Sequence, residues 1–128
     1  MPLEIQIKKN LDPAHRGTVT VELSGSLDTA TAPELERQLT PLFDTPVTDL
    51  VFDLAKLNFI SSAGLRVFAN ARKRLRDRGG QASFVRMQSQ IQEVFEIVKA
   101  LPGVAVFKDV AELDAYLATR QRRNKEGE

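Results

Sequence analysis

The stretch that decides the fold is Asp49–Phe68, which reads DLVFDLAKLNFISSAGLRVF. Its first part contains a continuous apolar run, Leu50–Phe52, that does not alternate with polar residues and is too short for a helix. Such a run is typical of a strand that is covered on both faces of an α/β sheet. After a short loop, Leu65, Phe68 and Leu75 recur at helical spacing. The sequence therefore predicts a buried strand, a tight loop and an amphipathic helix.

A pair of serines, Ser61 and Ser62, lies where this helix is predicted to begin. The N-terminus of a helix presents unpaired backbone N–H groups and the positive end of the helix dipole, so a phosphate is favoured there. Serine is also one of the preferred N-cap residues, and one of the two is expected to cap the helix. A functional serine and an ordinary cap both remain open at this point.

The segments before this stretch predict a hairpin followed by a helix. Apolar residues alternate with polar ones in Leu3–Ile7 and again in Thr18–Ser24, which indicates two half-buried antiparallel strands. Gly25–Asp28 interrupts the alternation. Thr31–Glu34 then has the pattern of a capping box with an early proline, which predicts the start of a helix. Its buried stripe is expected to contain Leu35, Leu39, Leu42 and Phe43.

The segments after this stretch continue the alternation of strands and helices. Gly79-Gly80 should end the second helix, and Gln81–Met87 is predicted to be a strand. A helix should begin at Ser89, a short edge strand is predicted at Val104–Phe107, and a last helix should follow from Asp109. The residues expected to face inward on these two helices are Ile91, Val94, Phe95, Val98, Leu113 and Leu117.

This order, β-β-α-β-α-β-α-β-α, predicts an α/β fold with a mixed, mostly parallel sheet of about five strands and four helices. One antiparallel hairpin opens the sheet. The domain is expected to span residues 1–119. Residues 120–128 are polar and are predicted to form a flexible tail.

Composition limits the function classes. The chain has 128 residues, no cysteine, and a net charge of +1 from 18 basic and 17 acidic residues. This balance argues against a dedicated nucleic-acid binder, and no membrane-spanning run or signal peptide is recognised, so a cytoplasmic location is expected. His15 is the one histidine, and no catalytic triad, glycine-rich phosphate loop or metal-ligand spacing is present. Neither an enzyme nor a cofactor is expected.

Two motifs in this chain resemble those of a known family. Asp53–Val67, with its FISSAGLRV core, resembles the signature of STAS domains of the bacterial anti-sigma-factor antagonist type. Gly25–Asp28 resembles the turn that follows the second strand in that family. The resemblance covers about residues 3 to 118 in element order, and it implies the STAS fold.

The resemblance also implies a partner switch. The unphosphorylated protein would bind an anti-sigma factor that is a serine protein kinase, and phosphorylation at Ser62 would release it until a phosphoserine phosphatase resets it. Ser61 stands where the family usually has Asp, which makes it a competing acceptor, and Ala63 stands where Ser or Thr is frequent. The residues that the resemblance places at the partner surface are Asp28, Ser61, Ser62, Ala63, Gly64 and Arg66.

Two other functions remain open. The chain could instead be a non-switching STAS subunit of a lipid-transport or other regulatory complex, or a nucleotide-binding domain that uses the helix N-terminus.

Asp28→Lys is expected to weaken partner binding with little change in stability. Ser62→Asp is expected to be more stable than Ser62→Ala, because an aspartate retains a capping oxygen at a favourable dipole end.

Overall fold

The computed structural model describes residues 2–9, 17–100 and 110–126. These residues form four strands and four helices, with a 3₁₀ turn at Thr40–Asp44 after the first helix. The strands are β1 (Leu3–Lys9), β2 (Thr18–Leu27), β3 (Asp49–Ile60) and β4 (Gln81–Val85). The helices are α1 (Ala32–Leu39), α2 (Ser62–Arg76), α3 (Ser89–Ala100) and α4 (Val110–Glu126). The strand expected at Val104–Phe107 lies outside the described residues.

The strands form one mixed sheet in the order β1-β2-β3-β4. β1 and β2 pair antiparallel, whereas β2 with β3 and β3 with β4 pair parallel. The α/β class and the mostly parallel sheet that opens with a hairpin are therefore confirmed. The described part of the sheet has four strands where about five were expected.

The first half of β3 is fully buried on one face. Leu50, Phe52 and Leu54 are each 0% exposed. Val51 points to the other face, where it is half-buried and pairs with Thr20 of β2 and Ser83 of β4. Successive side chains of a strand point to opposite faces, so the face that carries Val51 is covered less completely than the face that carries Leu50, Phe52 and Leu54.

Aromatic rings join the sheet to α2 and α3. The ring centroids of Phe52 and Phe68 lie 4.9 Å apart, and those of Phe84 and Phe95 lie 5.2 Å apart in an edge-on arrangement. Phe52 also stacks on Phe84 at 5.3 Å. Such pairs contribute beyond the area they bury, about 0.5–1.5 kcal/mol each, so this cluster fixes the helices against the sheet.

Helix ends and core positions largely follow the sequence prediction. Gly79 has a φ of 78°, and the Gly80 N–H donates to the Leu75 carbonyl at 2.8 Å, which closes α2 as expected. Within the described residues, no helix combines the length and the apolar character that a bilayer crossing requires. The predicted inward-facing residues that the structure buries are Leu35, Leu39, Leu42, Phe43, Phe68, Leu75, Ile91, Val94, Leu113 and Leu117. Val98, which was expected to face inward, is 42% exposed.

The last helix is longer than the sequence predicted. α4 continues to Glu126, whereas a flexible tail was expected from residue 120. Gln121 is only 2% exposed, because its amide binds the peptide of Ile60 at the end of β3. A polar residue can be buried in this way when its hydrogen-bonding groups are satisfied, so a lack of apolar residues did not mark the end of the structure.

Glutamine side chains also form hydrogen bonds with the backbone in the second half of β3, the part that does not pair with β4. The Gln88 amide donates to the Ala55 carbonyl at 2.9 Å, and the Gln90 amide donates to the Asn58 carbonyl at 3.3 Å. These bonds satisfy backbone groups that a neighbouring strand would otherwise pair. The end of β3 is thereby held in place where α2 begins.

Candidate functional site

The ends of β2 and β3 bring the two sequence motifs together. Leu27 and Ile60 pair in the parallel register, and the Ser61 N–H donates to the Leu27 carbonyl at 2.9 Å. Asp28, the next residue after Leu27, therefore lies beside the start of α2. The predicted proximity of the two turns is what parallel strands require, since their carboxyl ends meet at the same edge.

Gly64 lets the first turn of α2 rest directly on these strand ends. A Cβ atom at this position would lie 2.7 Å from Leu27 Cγ and 3.0 Å from Ile60 Cγ1. Both distances are too short for an ordinary contact between carbon atoms. Gly64 is itself buried, so the structure gives it a packing role beneath the surface.

Ser61 occupies the N-cap position of α2 but does not cap it with its side chain. Its backbone is extended, with φ −105° and ψ 176°, and the residue is only 5% exposed. Its Oγ has no hydrogen-bond partner within the described residues. A kinase could not reach this hydroxyl in the folded protein, which disfavours Ser61 as a competing acceptor.

Ser62, the first residue of α2, is bound by a carboxylate from the last helix. The Ser62 N–H donates to Asp114 Oδ1 at 2.7 Å, and Ser62 Oγ donates to Asp114 Oδ2 at 2.9 Å. These are charge-assisted hydrogen bonds, and the carboxylate lies at the positive end of the α2 dipole. Asp114 therefore caps α2, and the prediction that one of the two serines supplies the cap is wrong.

This arrangement tests the idea of an anion site at the start of α2. The site exists, but a carboxylate of the same chain fills it. Ser62 itself is half-buried, with its hydroxyl held against Asp114. A nucleotide would have to displace Asp114 from the Ser62 N–H, so the geometry does not favour the nucleotide-binding hypothesis.

Asp114 and Gln121 are the residues that the sequence analysis missed. Both lie on the face of α4 that carries Leu113 and Leu117, which are 7% and 0% exposed. The spacing from Asp114 to Leu117 is three residues, and that from Leu117 to Gln121 is four. This helical spacing was the available signal, because polar residues that continue an apolar stripe face the same neighbours.

Asp28 is the residue that shapes the turn before α1. Its Oδ1 accepts the N–H groups of Ala30 and Thr31, each at 3.0 Å. The Asp28 N–H donates in turn to Thr31 Oγ1 at 2.9 Å. Thr31 makes no side-chain cap, and Glu34 binds Arg37 instead, so the predicted capping box is not formed.

The six predicted partner-surface residues thus divide into three groups by their exposure. Ser61 and Gly64 are buried. Arg66 is exposed, on the first turns of α2. The half-buried members are Asp28, Ser62 and Ala63.

Asp53, in the β3 motif, forms an ion pair with Arg86 at a position away from the two serines. The Arg86 guanidinium binds Asp53 and lowers the pKa of that carboxyl below its usual range, while burial opposes the effect. The Ala55 N–H, which donates to Asp53 Oδ1 at 3.1 Å, lowers the pKa of Asp53 further. Asp53 therefore ties β3 to the chain just after β4. Within the described residues no cluster of His, Asp or Glu side chains could hold a metal ion.

Comparisons with known proteins agree with this architecture. The family model described as the STAS domain matches residues 10–113. BtrV of Bordetella bronchiseptica, whose name proposes an anti-sigma factor antagonist, is 37% identical over 81 residues, which cover 63% of this chain and 70% of BtrV. The anti-sigma-B factor antagonist of Staphylococcus aureus is 31% identical over 77 residues, which cover 60% of this chain and 71% of that protein.

A solved structure shows the same fold. SpoIIAA of Bacillus, in the phosphorylated form, superposes with a TM-score of 0.61 at 19% identity, covering 74% of this chain and 83% of that one. The chain belongs to the STAS domain family. Its curated relatives carry the name of anti-sigma factor antagonists, which is the type that the sequence motifs indicated.

Proposed function

We propose that this protein is an anti-sigma-factor antagonist that works as a phosphorylation-controlled partner switch. The observation that carries the proposal is the position of Ser62, which is half-buried at the start of α2, whereas the neighbouring Ser61 and its hydroxyl are buried. The family and the names of the curated relatives support the antagonist class.

In the switching step, the γ-phosphoryl group of ATP moves to Ser62 Oγ. The new Oγ–P bond forms as the bond to ADP breaks, and the hydroxyl proton passes to a base. The anti-sigma factor, acting as a serine protein kinase, supplies the catalysis, and this protein is its substrate. A phosphoserine phosphatase restores the hydroxyl by hydrolysis and releases inorganic phosphate.

The electrostatic consequence explains the release of the partner. A phosphoserine adds about −1.5 to −2 charges at pH 7. Asp28 beside the helix start already carries a carboxylate, and Arg66 on α2 is the exposed cation of the predicted surface. An unpaired charge buried in an interface costs about 2–5 kcal/mol or more, which corresponds to a loss of affinity of about 30- to 4,000-fold.

The test is phosphorylation by a kinase-type anti-sigma factor with ATP, followed by intact mass. We expect the folded protein to gain one phosphoryl group. Ser61→Ala is the matched control, because that hydroxyl makes no hydrogen bond in the described structure and its loss should leave both stability and phosphorylation unchanged. Ser62→Ala should gain nothing, and a gain on this variant would show that the acceptor lies elsewhere.

Binding measured before and after phosphorylation completes the test. The unphosphorylated protein should bind the anti-sigma factor, and the phosphorylated protein should not. A pull-down that returns transporter subunits in place of an anti-sigma factor would favour the alternative, a non-switching STAS subunit. We further propose that the protein acts in the cytoplasm, where the sigma factor and its regulators meet.

A further inference from the structure

We propose that Asp114 is a phosphorylation-sensitive latch, which holds α4 on the start of α2 while Ser62 is unmodified and releases it when Ser62 carries a phosphoryl group. The inference rests on the proposed function for the origin of that phosphoryl group. It goes beyond a change of surface charge, because it makes the position of α4 part of the switch.

The latch consists of two hydrogen bonds from one residue to one carboxylate. Ser62 donates through its N–H to Oδ1 and through its hydroxyl to Oδ2 of Asp114, at 2.7 and 2.9 Å. The bonds join residues that are 52 positions apart in the chain. The start of α2 and the first half of α4 are therefore fastened to each other at this point.

Phosphorylation abolishes one of these bonds and opposes the other. The hydroxyl hydrogen that Asp114 Oδ2 accepts is lost, and three acceptor oxygens with about −1.5 to −2 charges take its place. A carboxylate and a phosphate dianion at hydrogen-bond distance have no proton to share and repel each other. The phosphoryl group, which is covalently attached at the helix N-terminus, competes directly for the Ser62 N–H.

The other contacts of α4 determine how far it moves. Further along the helix, the Gln121 amide remains bonded to the Ile60 peptide at 2.8 and 2.7 Å, and Arg120 remains paired with Glu93. Leu117, which lies between Asp114 and these contacts along the helix, is fully buried. We therefore expect the first half of α4 to loosen while its second half stays attached.

The latch can be tested without any kinase. Phosphoserine is installed at position 62 of the full chain by genetic encoding, and amide hydrogen exchange is compared with that of the unmodified protein. Amides in residues 113–118 should exchange about 10- to 100-fold faster, the range for a lost hydrogen bond to a charged group. Residues 50–54 of β3 should be unchanged. Equal exchange of α4 in the two forms would overturn the proposal.

Two variants assign the effect to the carboxylate. Asp114→Asn keeps an oxygen for the Ser62 N–H, and its amide can donate to the phosphoryl oxygens, so phosphoserine at 62 should no longer speed exchange in α4. Asp77→Asn removes the same charge from an exposed residue at the other end of α2 and should leave the full effect in place. An equal effect of phosphoserine in the Asp114→Asn and Asp77→Asn proteins would exclude Asp114 as the cause.

The result is separable from the proposed function. A protein with encoded phosphoserine that loosens α4, but whose Ser62 no kinase-type anti-sigma factor modifies, would retain the latch and refute the switch. A protein that is phosphorylated and released by its partner with α4 unchanged would do the opposite.

Discussion

The side-chain amide of Gln121 forms two hydrogen bonds with the backbone of Ile60, one to its N–H and one to its carbonyl. The Ile60 N–H donates to Gln121 Oε1 at 2.8 Å, and the Gln121 amide donates to the Ile60 carbonyl at 2.7 Å. Gln121 is 2% exposed and Ile60 is 0% exposed. Among the described residues, β3 has no strand beside Ile60 on this side, and the Gln121 side chain takes that place immediately before the serine pair.

Replacing this glutamine should destabilise the protein strongly. In Gln121→Leu, both polar groups of the Ile60 peptide lose their partners in a buried environment, and each such group costs about 1–3 kcal/mol. We expect the free energy of unfolding to fall by about 2–4 kcal/mol in urea denaturation followed by circular dichroism.

Gln92→Leu is the matched control, because Gln92 is exposed on α3. Its effect should stay within about 0.5 kcal/mol, as for most surface substitutions. Similar losses for the two variants would mean that α4 is not bound to β3 through Gln121.

These long-range contacts mark the limit of what the sequence predicted. The apolar periodicity that predicted α2 and its buried stripe is local, and the structure buries Phe68 and Leu75 as expected. Turn residues such as Gly79 also act locally. The helical spacing of Gln121 and Asp114 indicates the face on which they lie, but their partners are 61 and 52 residues away, so no local pattern identifies which residues they bind. The same reason explains why a flexible tail was expected from residue 120, whereas α4 continues to Glu126.

The candidate site shows the same division. The two turns were correctly expected to lie together, since parallel strands end at the same edge of a sheet. The roles of individual side chains were not predictable, because serine, threonine and aspartate are all suitable caps. Local preference favoured one of the two serines as the cap of α2 and Thr31 as the cap of α1, whereas in the structure Asp114 caps α2 and Asp28 organises the turn before α1.

Asp28→Lys should reduce stability, contrary to the expectation from the sequence. The substitution removes the oxygen that accepts the N–H groups of Ala30 and Thr31. Loss of side-chain bonds to backbone N–H groups of this kind costs about 0.5–2 kcal/mol, as at helix caps. The thermal midpoint should therefore fall, as measured by differential scanning calorimetry.

Asp28→Asn separates the turn from the charge. The asparagine keeps an oxygen for both N–H groups, so the stability of this variant should lie close to that of the wild-type protein. If Asp28→Asn also binds the anti-sigma factor normally while Asp28→Lys does not, Asp28 acts on the partner through the turn. Weak binding of a stable Asp28→Asn protein would show that the carboxylate itself contacts the partner.

Asp53 should contribute to the loss of stability in acid. Arg86 lowers the pKa of Asp53 in the folded protein, whereas an unfolded aspartate has a pKa of about 3.9. The folded state therefore binds fewer protons, and the contribution is present above about pH 4 and is lost as the pH falls through the lower, folded-state pKa. Stability measured by urea denaturation between about pH 5 and pH 2 should fall less steeply in Asp53→Asn.

Arg86→Gln tests the cause of this pH dependence. It removes the hydrogen bond that lowers the pKa of Asp53 most, so the acid slope should flatten as in Asp53→Asn. Combining the two substitutions should add little further flattening, because both remove one interaction. Slopes that flatten independently and add together would assign the effect to other carboxyl groups.

Ser62→Asp should be less stable than Ser62→Ala, which reverses the order expected from the sequence. Ser62 is the first helical residue rather than the cap, and Asp114 already lies at hydrogen-bond distance. Two unit charges about 4 Å apart repel each other by about 1–4 kcal/mol in surroundings between water and a protein surface. This cost exceeds the gain of about 0.3–1 kcal/mol from a negative charge near a helix N-terminus.

The Asp114→Asn background decides whether this repulsion is the cause. With the carboxylate removed, only the favourable dipole interaction of Ser62→Asp remains, so its stability in urea denaturation should rise above that of Ser62→Ala. Binding to the anti-sigma factor should rank Ala above Asp in both backgrounds, because the interface charge at position 62 does not depend on Asp114. An order of stability that is the same with and without Asp114 would mean that this carboxylate does not sense the charge at position 62, and Ser62 would then affect stability through its own helix alone.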